Sequence, residues 1–146
     1  RILDQAARFA KLGGFEVDLE TGELRWTDGM YALHGLLPST PPRYGDHYWM
    51  YDEPDRTILK EAVARARSRK GTFDVEARAT TADGKRRWFR VAGGYSKQPG
   101  EAATWCGMKQ DITEQKRMQK RIEFLAEHDP VTRLANRTKL LTALNR

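Results

Sequence analysis

The side chains that could carry chemistry in this sequence are few and isolated. The chain holds three histidines and one cysteine. None of the histidines has a carboxylate or a nucleophile at a spacing typical of catalysis; they are His34, His47 and His128. Cys106 has no second thiol for a disulfide and no His–Cys cluster for zinc, and no Gly-Lys-Ser/Thr phosphate-binding sequence occurs. The residues therefore predict neither a catalytic group nor a metal site.

The charge and the cysteine content limit the partners and the compartment. The formal net charge is +6, but the basic residues are scattered in short groups such as Arg65–Lys70 and Lys85–Arg87, typical of solvated helix faces and turns. We therefore expect no nucleic acid partner. A lone cysteine suits the reducing cytoplasm, and no apolar run reaches the ~18 residues of a membrane span. We expect no membrane contact by this segment, although a parent protein could be anchored elsewhere.

Hydrophobic periodicity predicts the elements of the first half of the chain. Apolar residues three and four apart in residues 1–12 predict a short flanking helix that Gly13 and Gly14 end. Alternation then predicts a hairpin of Phe15–Leu19 and Leu24–Trp26. Asp28 is expected to cap a short helix that runs to Gly35. A longer helix from about Asp55 to Gly71 is expected to bury one stripe, formed by Ile58, Leu59, Ala62, Val63 and Ala66.

Three strands are predicted in the second half. Asp-Gly and Pro-Gly turn sequences separate alternating segments at Thr72–Thr80, Arg86–Ser96 and Ala103–Ile112. Two strands, a helical middle and three strands in a meander predict an α+β fold: a five-stranded antiparallel sheet with short helices on one face.

The composition changes after Thr113 to Glu, Gln, Lys and Arg. Met118, Ile122 and Leu125 recur at the four-and-three spacing of a heptad seam. Asp111, followed by Glu114, suits the start of a helix, because a capping side chain is commonly followed three residues later by Glu. These residues predict a C-terminal helix that leaves the domain and pairs with a second copy.

Two stretches resemble PAS domains. Residues 14–28, Gly-Phe-Glu-Val-Asp-Leu-Glu-Thr-Gly-Glu-Leu-Arg-Trp-Thr-Asp, are similar to their opening hairpin. Residues 85–91 and 107–116, the latter containing Asp111-Ile112-Thr113, are similar to their closing strands and exit motif. The resemblance covers about residues 13–115 and implies a PAS sensory domain with a signalling helix behind it.

Residues 125–137, Leu-Ala-Glu-His-Asp-Pro-Val-Thr-Arg-Leu-Ala-Asn-Arg, resemble the segment that opens GGDEF domains, whose active members make cyclic di-GMP from GTP. Val131 and Arg133 depart from the usual leucine and glycine. The catalytic hairpin of that family would lie beyond Arg146, so we expect a fragment of a longer protein. The implied division is a flanking helix 1–12, a PAS domain 13–112, a linker helix 113–128 and the start of a GGDEF domain 129–146.

The PAS resemblance raises the question of a ligand. Haem-binding members usually take their axial histidine from the long helix, and Arg56–Lys70 has none, so haem is not expected. His34 is interpreted as a packed, hydrogen-bonded side chain and His47 as a weak substitute ligand. Cys106 lacks the Asn-Cys-Arg context of photoactive members. No cofactor is predicted, and a small molecule or flavin stays open as an alternative to an ordinary packed core, with these candidate lining residues: Trp26, Met30, Leu33, His34, Tyr48, Trp49, Phe73, Val91, Cys106 and Met108.

The resemblances together imply a function. We expect a sensory and dimerisation module that regulates a C-terminal diguanylate cyclase, with a homodimer formed through the signalling helix and the flanking helix. Asp111, Ile112 and Thr113 are the expected relay between sheet and helix. The alternative is an interaction scaffold joined to an inactive GGDEF domain.

Overall fold

The computed structural model describes residues 5–6, 9–38, 46–128 and 131, and of residues 46 and 47 only the backbone. The sheet has five antiparallel strands in the order β2-β1-β5-β4-β3. The predicted α+β class and five-stranded sheet are therefore confirmed. The elements in chain order are β1 Leu12–Asp18, β2 Leu24–Trp26, α1 Asp28–His34, a 3-10 helix Asp46–Met50, α2 Asp55–Ser68, β3 Thr72–Thr80, β4 Arg86–Ser96, β5 Thr104–Asp111 and α3 Thr113–His128.

The start of the domain differs from the sequence prediction. Gln5, Ala6 and Phe9 are helical, but β1 already begins at Leu12, so Gly13 and Gly14 lie inside the strand instead of ending a helix. The reason is close packing, because a Cβ on Gly13 would lie 2.6 Å from the Cα of Met30 on α1. The strand needs a glycine where the helix crosses it.

The capping residue of α1 also differs. Asp28 was expected at the N-cap, but it is the first helical residue, and Thr27 occupies the N-cap without a side-chain capping bond. The hydroxyl of Thr27 instead accepts a hydrogen bond from the Gly14 N–H at 2.9 Å. Gly35 ends the helix in the left-handed conformation, with φ of 70°. The Thr27 side chain thus hydrogen-bonds to β1 instead of capping α1.

One face of the sheet carries the core. Helix α2 packs there through Leu59, Val63 and Ala66, which are buried, whereas Ile58, expected in the buried stripe, is 50% exposed. The helix therefore contacts the sheet through a narrower stripe than the sequence predicted. Buried side chains of the strands complete the core: Val17, Phe73, Ala77, Ala79, Phe89, Val91 and Trp105.

The edge strand β3 is covered by the first residue of α2 and by the chain just before it. The carboxylate of Asp55 accepts hydrogen bonds from both the backbone N–H and the guanidinium of Arg78, at 2.8 and 3.0 Å. The Asp52 N–H donates to the Arg78 carbonyl, and Tyr51 pairs with Ala79. These contacts satisfy backbone groups at the sheet edge and fix Tyr51 over the core.

The chain divides at Ile112 into two compact units, of which the second begins with α3. Within α3 the side chains of the expected seam are exposed: Met118 by 62%, Ile122 by 61% and Leu125 by 56%. None of the helices in the described part of the chain combines the length and apolar character needed to cross a bilayer. The predicted GGDEF segment lies outside the described residues, apart from the exposed Val131.

Candidate functional site

A small cavity lies between the core face of the sheet and the helices that cover it. Its volume is about 40 Å³, enough for a water molecule or a very small ligand. Six of the residues proposed from the sequence line it: Trp26, Met30, His34, Tyr48, Phe73 and Val91.

The other proposed lining residues lie elsewhere. Trp49 is 62% exposed, and Leu33 packs against the core without lining the cavity. Cys106 and Met108 point to the opposite face of the sheet, because side chains alternate along β5 and the neighbours Trp105 and Lys109 are the buried ones. Cys106 instead lines a groove of about 470 Å³ on that outer face.

Lys109 is the functional candidate that the sequence interpretation missed. It lies on β5 opposite Val91 of β4, and only 2% of its surface is exposed. Its Nζ lies 4.8 Å from the ring centre of Tyr51 and 5.1 Å from that of Phe89. The available signal was strand alternation, since Lys109 shares the face of Trp105. Lysine is rarely fully buried in proteins, so the residue type by itself predicted that Lys109 would lie on the outer face.

His34 is the hydrogen-bonding partner of this amine. Its Nε2 lies 2.9 Å from Lys109 Nζ, and its Nδ1 lies 2.8 Å from the carbonyl oxygen of Met30. A carbonyl only accepts, so Nδ1 carries a proton and donates it, and the lone pair of Nε2 is then free to accept from the lysine. The ring stacks on Trp26 at 4.6 Å between centroids. His34 is thus the packed, hydrogen-bonded histidine that the sequence favoured.

The electrostatics of the cavity wall favour neutral groups. Burial lowers the pKa of Lys109 to about 7, and burial also raises the pKa of the Tyr51 hydroxyl above its usual value. Within the described part of the chain, no carboxylate pairs with Lys109. The Tyr51 hydroxyl has no hydrogen-bond partner among the described residues. The site therefore holds an amine, an imidazole and an unsatisfied phenol in an apolar enclosure.

The size of the cavity limits what it can hold. Sites for drug-sized molecules occupy about 300–1,000 Å³, so this cavity of about 40 Å³ admits neither a flavin nor a haem without opening. Among the described residues, no group of three or more metal-ligating side chains comes together. The side chain of His47, the proposed substitute ligand, lies outside what the structure describes.

The three proposed relay residues, Asp111, Ile112 and Thr113, span the end of β5 and the start of α3. Asp111 is the last residue of β5 and is buried, with Oδ2 3.6 Å from the guanidinium of Arg87. The Ile112 N–H donates to the Trp88 carbonyl at 2.9 Å, and Thr113 is the first residue of α3. The end of β5 is therefore anchored to β4 both by backbone and by charge.

Comparisons with known proteins agree with this architecture. No family model matches the chain. The curated sensor protein FixL of Bradyrhizobium diazoefficiens is 28% identical over 109 residues, which are 74% of this chain and 22% of the relative. The chain thus spans about a fifth of that relative's length.

Solved structures superpose over most of the chain. A sensory box histidine kinase/response regulator from Burkholderia thailandensis matches with a TM-score of 0.65 and 22% identity, covering 87% of this chain and 96% of that one. The N-terminal domain of a diguanylate cyclase with a PAS/PAC sensor from Marinobacter aquaeolei matches at 0.59 and 17%, covering 72% and 98%. A PAS domain from Colwellia psychrerythraea matches at 0.55 and 20%, covering 78% and 99%. The fold of residues 12–112 is the PAS fold.

Proposed function

We propose that this chain is a sensory and dimerisation module that regulates a C-terminal diguanylate cyclase. Three observations support the proposal: the PAS fold, the match to the N-terminal domain of a diguanylate cyclase with a PAS/PAC sensor, and the resemblance of residues 125–137 to the opening of GGDEF domains. The observation that carries the regulatory part is α3, a helix that follows directly from the central strand β5 and exposes an apolar seam.

The seam needs a partner. Met118, Ile122 and Leu125 are each more than half exposed and occupy d, a and d positions of a heptad. A single helix of this length is marginal in water, and α3 spans 16 residues. Pairing with the same seam of a second copy would bury these side chains. We propose a parallel homodimer through α3.

The relay follows from the anchoring of β5. A change in the sheet that moves the strand end moves the first turn of α3, because Asp111, Ile112 and Thr113 are consecutive. Signalling states in such switches differ by only a few kcal/mol. Loss of one anchoring contact, worth about 1 kcal/mol, is therefore enough to change their ratio several-fold.

A histidine kinase output is the second candidate. The match to a sensory box histidine kinase/response regulator has the higher TM-score, 0.65 against 0.59 for the diguanylate cyclase domain. The PAS fold serves as input in both arrangements. Residues 125–137 favour the cyclase, because their resemblance is to GGDEF domains. An interaction scaffold joined to an inactive GGDEF domain would share the same fold and seam.

The full-length protein separates these outputs. Purified protein is given GTP with Mg²⁺ in one reaction and labelled ATP in another. The proposal predicts cyclic di-GMP from the first and no phosphorylated protein from the second. Phosphorylation on histidine would establish the kinase output. If neither product forms, the interaction scaffold is the remaining function. The 146-residue chain by itself is expected to make no cyclic di-GMP.

The dimer is tested with the chain itself, by light scattering of Ile122→Lys. The matched control is Phe124→Lys, which replaces a side chain of similar exposure, 57% against 61%, lying about 200° around the helix from Ile122. We expect the first variant to be monomeric and the second dimeric. Equal masses for the two variants would contradict pairing through this seam.

A further inference from the structure

The amine of Lys109 is placed as a reactive group would be placed. Its Nζ is buried among the rings of Tyr51 and Phe89, it lines the cavity, and its polar contact in the described part of the chain is a neutral imidazole nitrogen. A lysine kept for stability would be expected to carry a carboxylate partner or to extend its amine to solvent. Burial without a counter-charge instead maintains the unprotonated amine, which is the nucleophilic form.

The cavity beside this amine has the properties of a site for a small carbonyl compound. Its volume of about 40 Å³ restricts the occupant to a few heavy atoms. Its walls are mostly apolar and aromatic, with Trp26, Phe73 and Trp105 among them. The other ionisable side chains of the wall among the described residues are His34, Tyr48 and Tyr51, and none of them is a carboxylate.

We propose that Lys109 captures a small uncharged aldehyde or ketone as an imine inside this cavity. The Nζ lone pair attacks the carbonyl carbon, and one of the two amine protons passes to the former carbonyl oxygen, which gives a neutral carbinolamine. His34 Nε2, 2.9 Å from Nζ, accepts the second amine proton and returns it to the departing hydroxyl. The C–O bond breaks, one water leaves, and a C=N bond joins the ligand to the lysine. No electrons are exchanged.

Two further features match the class of ligand. The hydroxyl of Tyr51 is buried without a partner among the described residues, so it is available to donate to the ligand's oxygen before that oxygen leaves. A carboxylate-bearing ligand is disfavoured, because it would bring an anion into an apolar enclosure where no fixed positive charge offsets its desolvation whenever the amine is unprotonated. Short aldehydes such as acetaldehyde meet both requirements.

Imine formation at Lys109 does not depend on which output domain follows the PAS-fold domain. It can still affect that output, because Lys109 lies two residues before the relay residue Asp111 on β5. The bond would change the charge and the packing of the amine at the point where β5 leaves the core.

The test is reductive trapping of the purified chain with acetaldehyde and cyanoborohydride at pH 7, followed by peptide mass mapping. At this pH about half of the Lys109 side chains are unprotonated, about a thousandfold more than for an exposed lysine. We expect N-ethylation at Lys109 at least about tenfold faster than at exposed lysines such as Lys85. Lys85→Met should leave that modification unchanged, and His34→Phe should slow it by at least about tenfold.

Two outcomes would overturn the proposal. One is labelling of Lys109 no faster than labelling of Lys85 in the folded wild-type chain, which includes the absence of any label. The other is an unchanged rate at Lys109 in His34→Phe, which would remove the assigned proton transfer. Circular dichroism of each variant is the check that its fold is retained, and the wild-type comparison needs no variant at all.

Discussion

Replacing Lys109 by methionine should change the pH dependence of stability in a specific direction. Burial lowers the pKa of Lys109 from 10.5 to about 7 in the folded chain. Between these values the unfolded chain holds a proton that the folded chain lacks, so the folded state gains stability as pH rises. That stability is lost as pH falls from about 10.5 to about 7 and changes no further below pH 7. Methionine keeps the length of the side chain without the titrating group.

The magnitude follows from the size of the pKa change. One pKa unit is about 1.4 kcal/mol, so the free energy of unfolding should increase by about 2 kcal/mol between pH 7 and pH 9 through this group alone. Other titrating groups are common to wild type and variant. The free energy of unfolding of the wild type minus that of Lys109→Met should therefore increase by the same amount.

Urea denaturation at pH 7, 8 and 9 measures this difference, with Lys85→Met as the control for loss of an exposed lysine. The free energy of unfolding of Lys85→Met should change with pH by the same amount as that of the wild type. A difference between wild type and Lys109→Met that stays constant within about 0.5 kcal/mol would mean that folding does not lower the pKa of Lys109, since extrapolated free energies resolve a change of about 2 kcal/mol. Lys109 would then be either charged in the folded chain or in contact with water.

Three other substitutions test the account of the fold and the relay. Gly93→Ala would place a Cβ 2.4 Å from a carbonyl oxygen of β5 and should cost at least about 2 kcal/mol, whereas Gly71→Ala, with 3.9 Å of clearance, should melt within a few degrees of wild type. Asp55→Asn should lower the free energy of unfolding by about 1 kcal/mol at pH 7. The hydrogen bond with Arg78 lowers the pKa of Asp55, so the difference between wild type and variant should disappear as the pH falls through that pKa. A difference that does not change with pH would exclude the ion pair. Asp111→Ala in the full-length protein should change basal cyclase output several-fold while costing only about 1 kcal/mol of stability, and wild-type regulation in that variant would place the relay elsewhere.

The strands of the second half could be predicted from sequence because local signals fix them. The bounds of β3 and β4 agree with the prediction to the residue. The intervening turn contains Gly84 at φ of 80°, a conformation that the Asp-Gly sequence favours. Alternation on each side then determines which residues share a face.

The site was harder to predict because it depends on which face of β5 is covered. Cys106 and Met108 alternate with Lys109, and the usual preference of lysine for water assigns the two apolar residues to the core. The structure has the reverse, because His34 from α1 supplies a hydrogen-bonding partner at 2.9 Å. Such a pair joins residues 75 positions apart, and no local pattern shows it. The prediction that Gly13 and Gly14 end a helix was wrong for a similar reason, since the close approach of α1 that requires a glycine at position 13 of β1 is a tertiary contact.

The rate of cyclic di-GMP synthesis in the full-length protein shows whether a PAS-fold module regulates a cyclase through the α3 seam. The rate is measured for the wild type, for Ile122→Lys and for Phe124→Lys under identical GTP and Mg²⁺. We expect Ile122→Lys to lose most of the activity or of its regulation and Phe124→Lys to retain both. Wild-type rates in both variants, or no cyclic di-GMP from the wild type, would contradict this expectation.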